Sequence, residues 1–262
     1  MANAIKARPD RFPQPQYWVL DPALPAEPGY ALAFKDVTAP TNMRTMIAAF
    51  VPRAGYGNTL PVLLPEPGLA PAAYARVASL LLANLASLAY DFVARQKVQG
   101  QHLNWYILEQ LPVIAPQRFE LPLPAAFAAR MRKAGLMNGH HAQPTVADFV
   151  IPQVLALSYT AHDLAPLARD LGYVDEQGQV LPPIMWDDED RRARMAALDA
   201  LFMHLYGLNE DDAAYILDTF AIVRQQDEAA FGHYRTKDDV LELLRVIPLG
   251  AVAGFSCPPS AS

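Results

Sequence analysis

The stretch YALAFKDVTAPTNMRTMIAAFVPRAGYGNTLPVLLP, residues 30–65, is where the fold is decided. It contains three strand-like runs, YALAFKDV (30–37), RTMIAAFVP (44–52) and LPVLLP (60–65). Their aliphatic and aromatic residues suit a pleated, half-buried surface. The glycine-rich RAGYGNT (53–59) between the last two reads as a loop joining antiparallel strands. Upstream, Pro9, Pro13, Pro15, Pro22, Pro25 and Pro28 forbid a helix and favour an extended lead-in, with a short strand at QYWVL (16–20). Downstream, neither glycine nor proline interrupts AAYARVASLLLANLASLAYDFVARQK (72–97), and its apolar residues fall on nearly all faces. The expectation is one long, mostly buried helix from Pro71 to about Lys97.

Beyond it, VQGQHLNWYILEQLPV (98–113) supplies a glycine stop, a polar loop and a brief helix from about Asn104 to Gln110. Pro116, Pro122 and Pro124 then mark a connection, after which the pattern is helical alone. Helices are expected near 125–135, 148–171, 187–206, 209–217 and 236–246, with Asp187, Asn209 and Thr236 as N-caps. The fold class is therefore α+β. A mixed strand and helix body spans 1–118, a mainly α-helical C-terminal body spans 119–250, and 251–262 is a frayed tail.

With 262 residues, 52% hydrophobic and 18% charged, the chain can bury a core without staples and is no disordered tail or coiled coil. The single cysteine, Cys257, excludes an internal disulfide and a cysteine-rich zinc site. The N-terminus carries basic residues but no apolar signal core, which fits a cytoplasmic protein. VASLLLANLASLAY (77–90) includes Ser79, Asn84 and Ser87 and is too short and polar for a membrane span. Charge is unevenly spread: residues 1–118 hold 10 Lys+Arg against 7 Asp+Glu (+3), and residues 119–262 hold 11 against 20 (−9). A mildly basic half beside an acidic helical half suits a DNA-contacting module joined to a scaffold that avoids phosphates.

Common enzymatic signatures are missing. There is no GxGxxG after a strand, no GxxxxGK[ST], no HExxH and no GxSxG. No catalytic residue and no metal site is assigned. His140 and His141 are adjacent on a loop, where neighbouring side chains rarely meet one ion. The run DDEDRR (187–192) is explained by a helix start, where acids complement the dipole.

Two stretches carry the chemistry of DNA reading. In 39–65, Asn42, Arg44, Arg53, Tyr56 and Asn58 lie at strand ends and on the connecting loop. In 94–113, Arg95, Gln96, Lys97, Gln99, Gln101, His102 and Asn104 crowd around Gly100. Arginine can bond guanine O6 and N7, and glutamine or asparagine can bond adenine N6 and N7. Trp105 and Tyr106 have rings that could stack on a base, but Ile107, Leu108 and Leu111 around them favour core positions.

The order Asn42–Ala49, Pro52–Pro61, Arg95–Asn104 and Gln110–Val113 resembles the C-terminal target-recognition region of adenine-N6 DNA methyltransferases of type II restriction-modification and phage-defence systems. The similarity continues through 157–173, 185–228 and 234–244, and so covers about Tyr17 to Leu244. In that family a catalytic domain precedes this region. Neither the glycine-rich cofactor loop nor the Asn/Asp-Pro-Pro-aromatic loop of adenine-N6 chemistry occurs here. The resemblance implies that a separate catalytic domain or subunit binds S-adenosylmethionine and flips adenine, while this chain grips double-stranded DNA, without a cofactor of its own. An excised part, a split-gene specificity subunit and a degenerate remnant all fit. Arg44, Arg53, Arg95 and Lys97 would hold phosphates or guanine; Asn42, Asn58, Gln96, Gln99, Gln101, His102 and Asn104 would contact base edges or backbone. For Arg44 and Arg95 the competing role is a structural ion pair with Asp36 or Asp91, and Asp91 lies four residues before Arg95 on the same helix face. The rival function is a protein-interaction subunit of a defence complex, whose acidic helices dock onto other members without touching DNA.

Overall fold

The computed structural model describes residues 8–12, 19–24, 28–138 and 143–247. Strand β1 (Tyr30–Phe34) is buried along its whole length. Such a strand needs partners on both edges, because unpaired backbone groups away from water are costly. It has them in β2 (Ala48–Pro52), with Leu32 opposite Phe50, and in β3 (Val62–Leu63), with Leu32 opposite Leu63. Both pairings are antiparallel and the order is β2-β1-β3. The expected antiparallel hairpin across 53–59 is thus corrected. β2 and β3 flank β1 and run parallel to each other, so residues 53–59 return from the Gly29 end of β1, where Arg53 N–H bonds to Gly29 C=O, to its far end, where Thr59 C=O accepts from Asp36 N–H. Pro52 sits at the end of an edge strand, where its missing N–H costs least.

The expected helix 71–97 is two helices, α1 (Pro71–Ala86) and α2 (Leu88–Lys97), bent by 67°. Ser87 makes the break. Its extended backbone ends α1, and its hydroxyl accepts from Tyr90 N–H to cap α2. No single helix among the described residues is long and apolar enough to cross a membrane; this bent pair passes the length and composition test only jointly. Tyr30 stacks on Tyr74 of α1 at 5.7 Å, and the Tyr74 hydroxyl accepts from Leu32 N–H and donates to Leu63 C=O. The sheet is thereby pinned to α1.

After α3 (Trp105–Leu108) and a 3₁₀ turn at Pro116–Glu120, the remaining described elements are helices. They are α4 (Ala125–Lys133), α5 (Val146–Ser158), α6 (Ala165–Asp170), α7 (Asp188–Leu205), α8 (Glu210–Asp218), α9 (Ala221–Phe231) and α10 (Arg235–Arg245). The expected helix 148–171 is divided into α5 and α6 by an irregular stretch with a 3₁₀ turn at His162–Leu164. Helix α9 was not anticipated. Asp187 and Asn209 cap α7 and α8 as expected, but α10 starts at Arg235, and Thr236 N–H bonds to the buried Asp227 carboxylate at 2.6 Å instead of capping.

This arrangement is the α+β class, a small sheet followed by a mainly helical C-terminal part. One buried cluster joins Leu32 and Phe34 to Phe127, Phe149 and Phe202, so side chains from both sides of residue 118 share it. A second gathers Leu88 of α2 with Met203, Leu217, Phe220 and Val240. Residues 16–18 of the expected strand, His140, His141, Cys257 and the tail lie outside the described residues, while Val19 and Leu20 are not in a strand.

Candidate nucleic-acid interface

Helix α2 ends at Lys97, and Val98 and Leu103, both buried, anchor the two ends of the loop that follows. The polar residues between them have no core to enter and stay at the surface. The loop is stitched to the extension of β1. Thr38 N–H donates to Gln101 C=O at 2.9 Å, Leu103 N–H donates to Asp36 C=O at 2.8 Å, and Val37 bridges His102. Lys97, Gln99, Gln101, His102 and Asn104 thereby line one open groove of about 520 Å³, completed by Tyr106, Ile107 and Gln110. Gln96 is exposed at the end of α2 but does not line it.

His102 Nδ1 lies 2.9 Å from Asp36 Oδ2. With Nδ1–H donating to the carboxylate, Nε2 accepts in the neutral ring and donates in the protonated one. Asp36 is itself fixed, since its N–H bonds to Thr59 C=O at 3.1 Å. That bond also places the exposed Asn58 next in sequence to the residue that holds Asp36.

The other candidate residues are placed elsewhere. Arg95 pairs with Asp91 through Nε at 3.0 Å, as their spacing implies, and its Nη2 donates to Asn42 C=O and Met43 C=O. Its guanidinium also lies 4.1 Å from the Phe220 ring centre. Asp91, only 1% exposed, further accepts from Thr45 and Met46 N–H, so the pair holds the 42–46 loop against α2. Arg53 is bound to the Asp21 carboxylate at 2.5 Å and to its carbonyl. Arg44 donates Nη2 to Ala86 C=O at 2.6 Å, at a helix end and not to a carboxylate. Asn42 is exposed, with its amide 3.4 Å from Thr38 Oγ1.

The core positions favoured for Trp105 and Tyr106 are corrected, since both are exposed. Tyr106 is 62% exposed and not core. The signal was available: buried Leu103, Ile107 and Leu111 repeat every four residues, which turns Tyr106 outward. Trp105 is 45% exposed, with its ring edge-on to Phe34 at 5.1 Å. Lys35, exposed between buried Phe34 and Asp36, adds a cation just past the end of β1.

Among the described residues no group of three His, Cys, Asp or Glu could hold a metal ion. The acids of 187–190 serve the start of α7: Asp187 caps it, Asp190 pairs with Arg194, and Glu189 pairs with Arg235. Comparisons of the chain with protein-family models, with curated proteins and with solved structures find no match.

Proposed function

We propose that the chain is the DNA target-recognition part of an adenine-N6 DNA methyltransferase of a restriction-modification or phage-defence system. It would work beside a separate catalytic unit that binds S-adenosylmethionine. The observation that carries the reading is the groove beside Gly100. Amide, imidazole and ammonium groups of Lys97, Gln99, Gln101, His102 and Asn104 converge there, in a stretch that also bears the family resemblance. Amides give the paired donor and acceptor that an adenine edge requires, and Lys97 gives a phosphate its counter-charge. Tyr106 offers an exposed ring at the same rim.

A gel-shift titration of the chain with duplex DNA over a range of salt concentrations tests this. Phosphate contacts release counterions, so affinity should fall steeply as salt rises, and Lys97→Ala should lower the slope by about one. No binding, or binding indifferent to salt, would remove DNA recognition and favour docking of the acidic helices onto a protein partner.

A further inference from the structure

A second cavity, of about 340 Å³, shares no lining residue with the groove. It lies where the sheet meets the helices, between Ala48 of β2, Leu82 and Ala83 of α1, Val154 of α5 and Leu198 of α7. Its walls are mainly aliphatic, and its size suits a small organic ligand. Three charged side chains, Arg44, Arg191 and Asp199, line it as well.

Arg44 uses Nη2 on Ala86 C=O and leaves Nη1 buried with no hydrogen-bond partner. A buried donor without an acceptor is costly, and a guanidinium is best satisfied by a carboxylate. Arg191 is held in place by Leu157 C=O at 2.9 Å and by the Trp186 ring, 3.7 Å below its guanidinium carbon. Asp199 is 5% exposed, and its Oδ1 accepts from Leu88 N–H at 2.7 Å. A cavity with two cations, one carboxylate and aliphatic walls discriminates among ligand classes. A simple carboxylic acid would satisfy the arginines but face Asp199. An amine would satisfy Asp199 but face both arginines. Phosphate would bring more charge against Asp199 and nothing for the walls.

We infer that this cavity binds an apolar α-amino acid as its zwitterion, with the carboxylate on Arg44 and Arg191, the ammonium on Asp199, and the side chain among Leu82, Val154 and Leu198. The inference does not depend on DNA binding. Isothermal titration of the full chain with L-leucine, L-methionine and L-phenylalanine tests it, with N-acetyl-L-leucine and L-leucinamide each lacking one charge. At least one zwitterion should bind saturably, and blocking either charge on its scaffold should weaken binding at least about tenfold. Arg44→Gln should weaken the zwitterion while leaving the amide unaffected. The blocked ligands test the unaltered chain, so the result stands whether or not the variant folds. No saturable binding at millimolar concentrations, or binding indifferent to blocking both charges in turn, overturns the inference.

Discussion

Asp91 and Arg95 illustrate how a charge that looks available in sequence is consumed in the fold. Their ion pair also carries four backbone contacts to residues 42–46, so Arg95 holds a loop in place. Arg95→Ala should lower unfolding free energy by about 3 kcal/mol, because it strands a buried carboxylate. Arg95→Lys should not restore it, since an ammonium cannot span the same acceptors as a planar fork. Denaturant titration checks both, and unchanged stability would return Arg95 to the DNA-contact set. Asp199 makes the opposite case. Burial raises its pKa to about 6, against a smaller opposing pull from Arg44. Its folded-state value lies above the unfolded one of about 3.9. Its contribution to stability is therefore full below that value and is lost as pH rises through about 6. Asp199→Asn should flatten this part of the pH profile and add on the order of 1–3 kcal/mol at pH ~8 relative to pH ~4. Parallel profiles for the two proteins would contradict it.

At the scale of elements, caps and breaks set what each helix presents. Asn104 occupies the N-cap position of α3, but its side chain makes no capping bond and lines the groove instead. Asn104→Ala should therefore change stability by less than about 0.5 kcal/mol, unlike loss of a bonded cap at about 1 kcal/mol. Under the proposed function, the same change in a complete methyltransferase should relax tolerance at one base pair without abolishing methyl transfer. Thermal melting and sequencing of methylated sites measure the two effects. A lower melting temperature with an unaltered recognition motif would make Asn104 a structural residue. The break at Ser87 has a comparable consequence. It sends α2 away from α1, so that Leu88 and Ala89 pack into the second core with Phe220 and Arg95 reaches over that ring.

Across the whole molecule, the strand-bearing and helical parts share one buried cluster. A fragment ending at residue 118 would expose the face of α1 that packs on α5, with Leu82 and Ala83. Such a fragment should lack a cooperative thermal transition, and circular dichroism would detect one if it folds alone. Composition and periodicity were enough to read the α+β class, the helical run after residue 124 and the caps Asp187 and Asn209. These depend on local preferences: side-chain period, proline geometry, and a short side chain reaching its own helix's N–H groups. The loop around Gly100 was also legible as a polar cluster between two apolar anchors. Strand order was not, because β1 and its two neighbours have similar sequences, and only burial against α1 and the helices makes β1 central. The Arg95–Asp91 pair was legible from its four-residue spacing, but the partners of Arg44 and Arg53 and the rest of the Arg95 site were not. Arg44 and Arg53 meet partners 42 and 32 residues away, and the Asn42 and Met43 carbonyls that complete the Arg95 site lie more than 50 residues from it. The cavity between Arg44, Arg191 and Asp199 gathers residues from four elements, so tertiary packing alone brings these charges together.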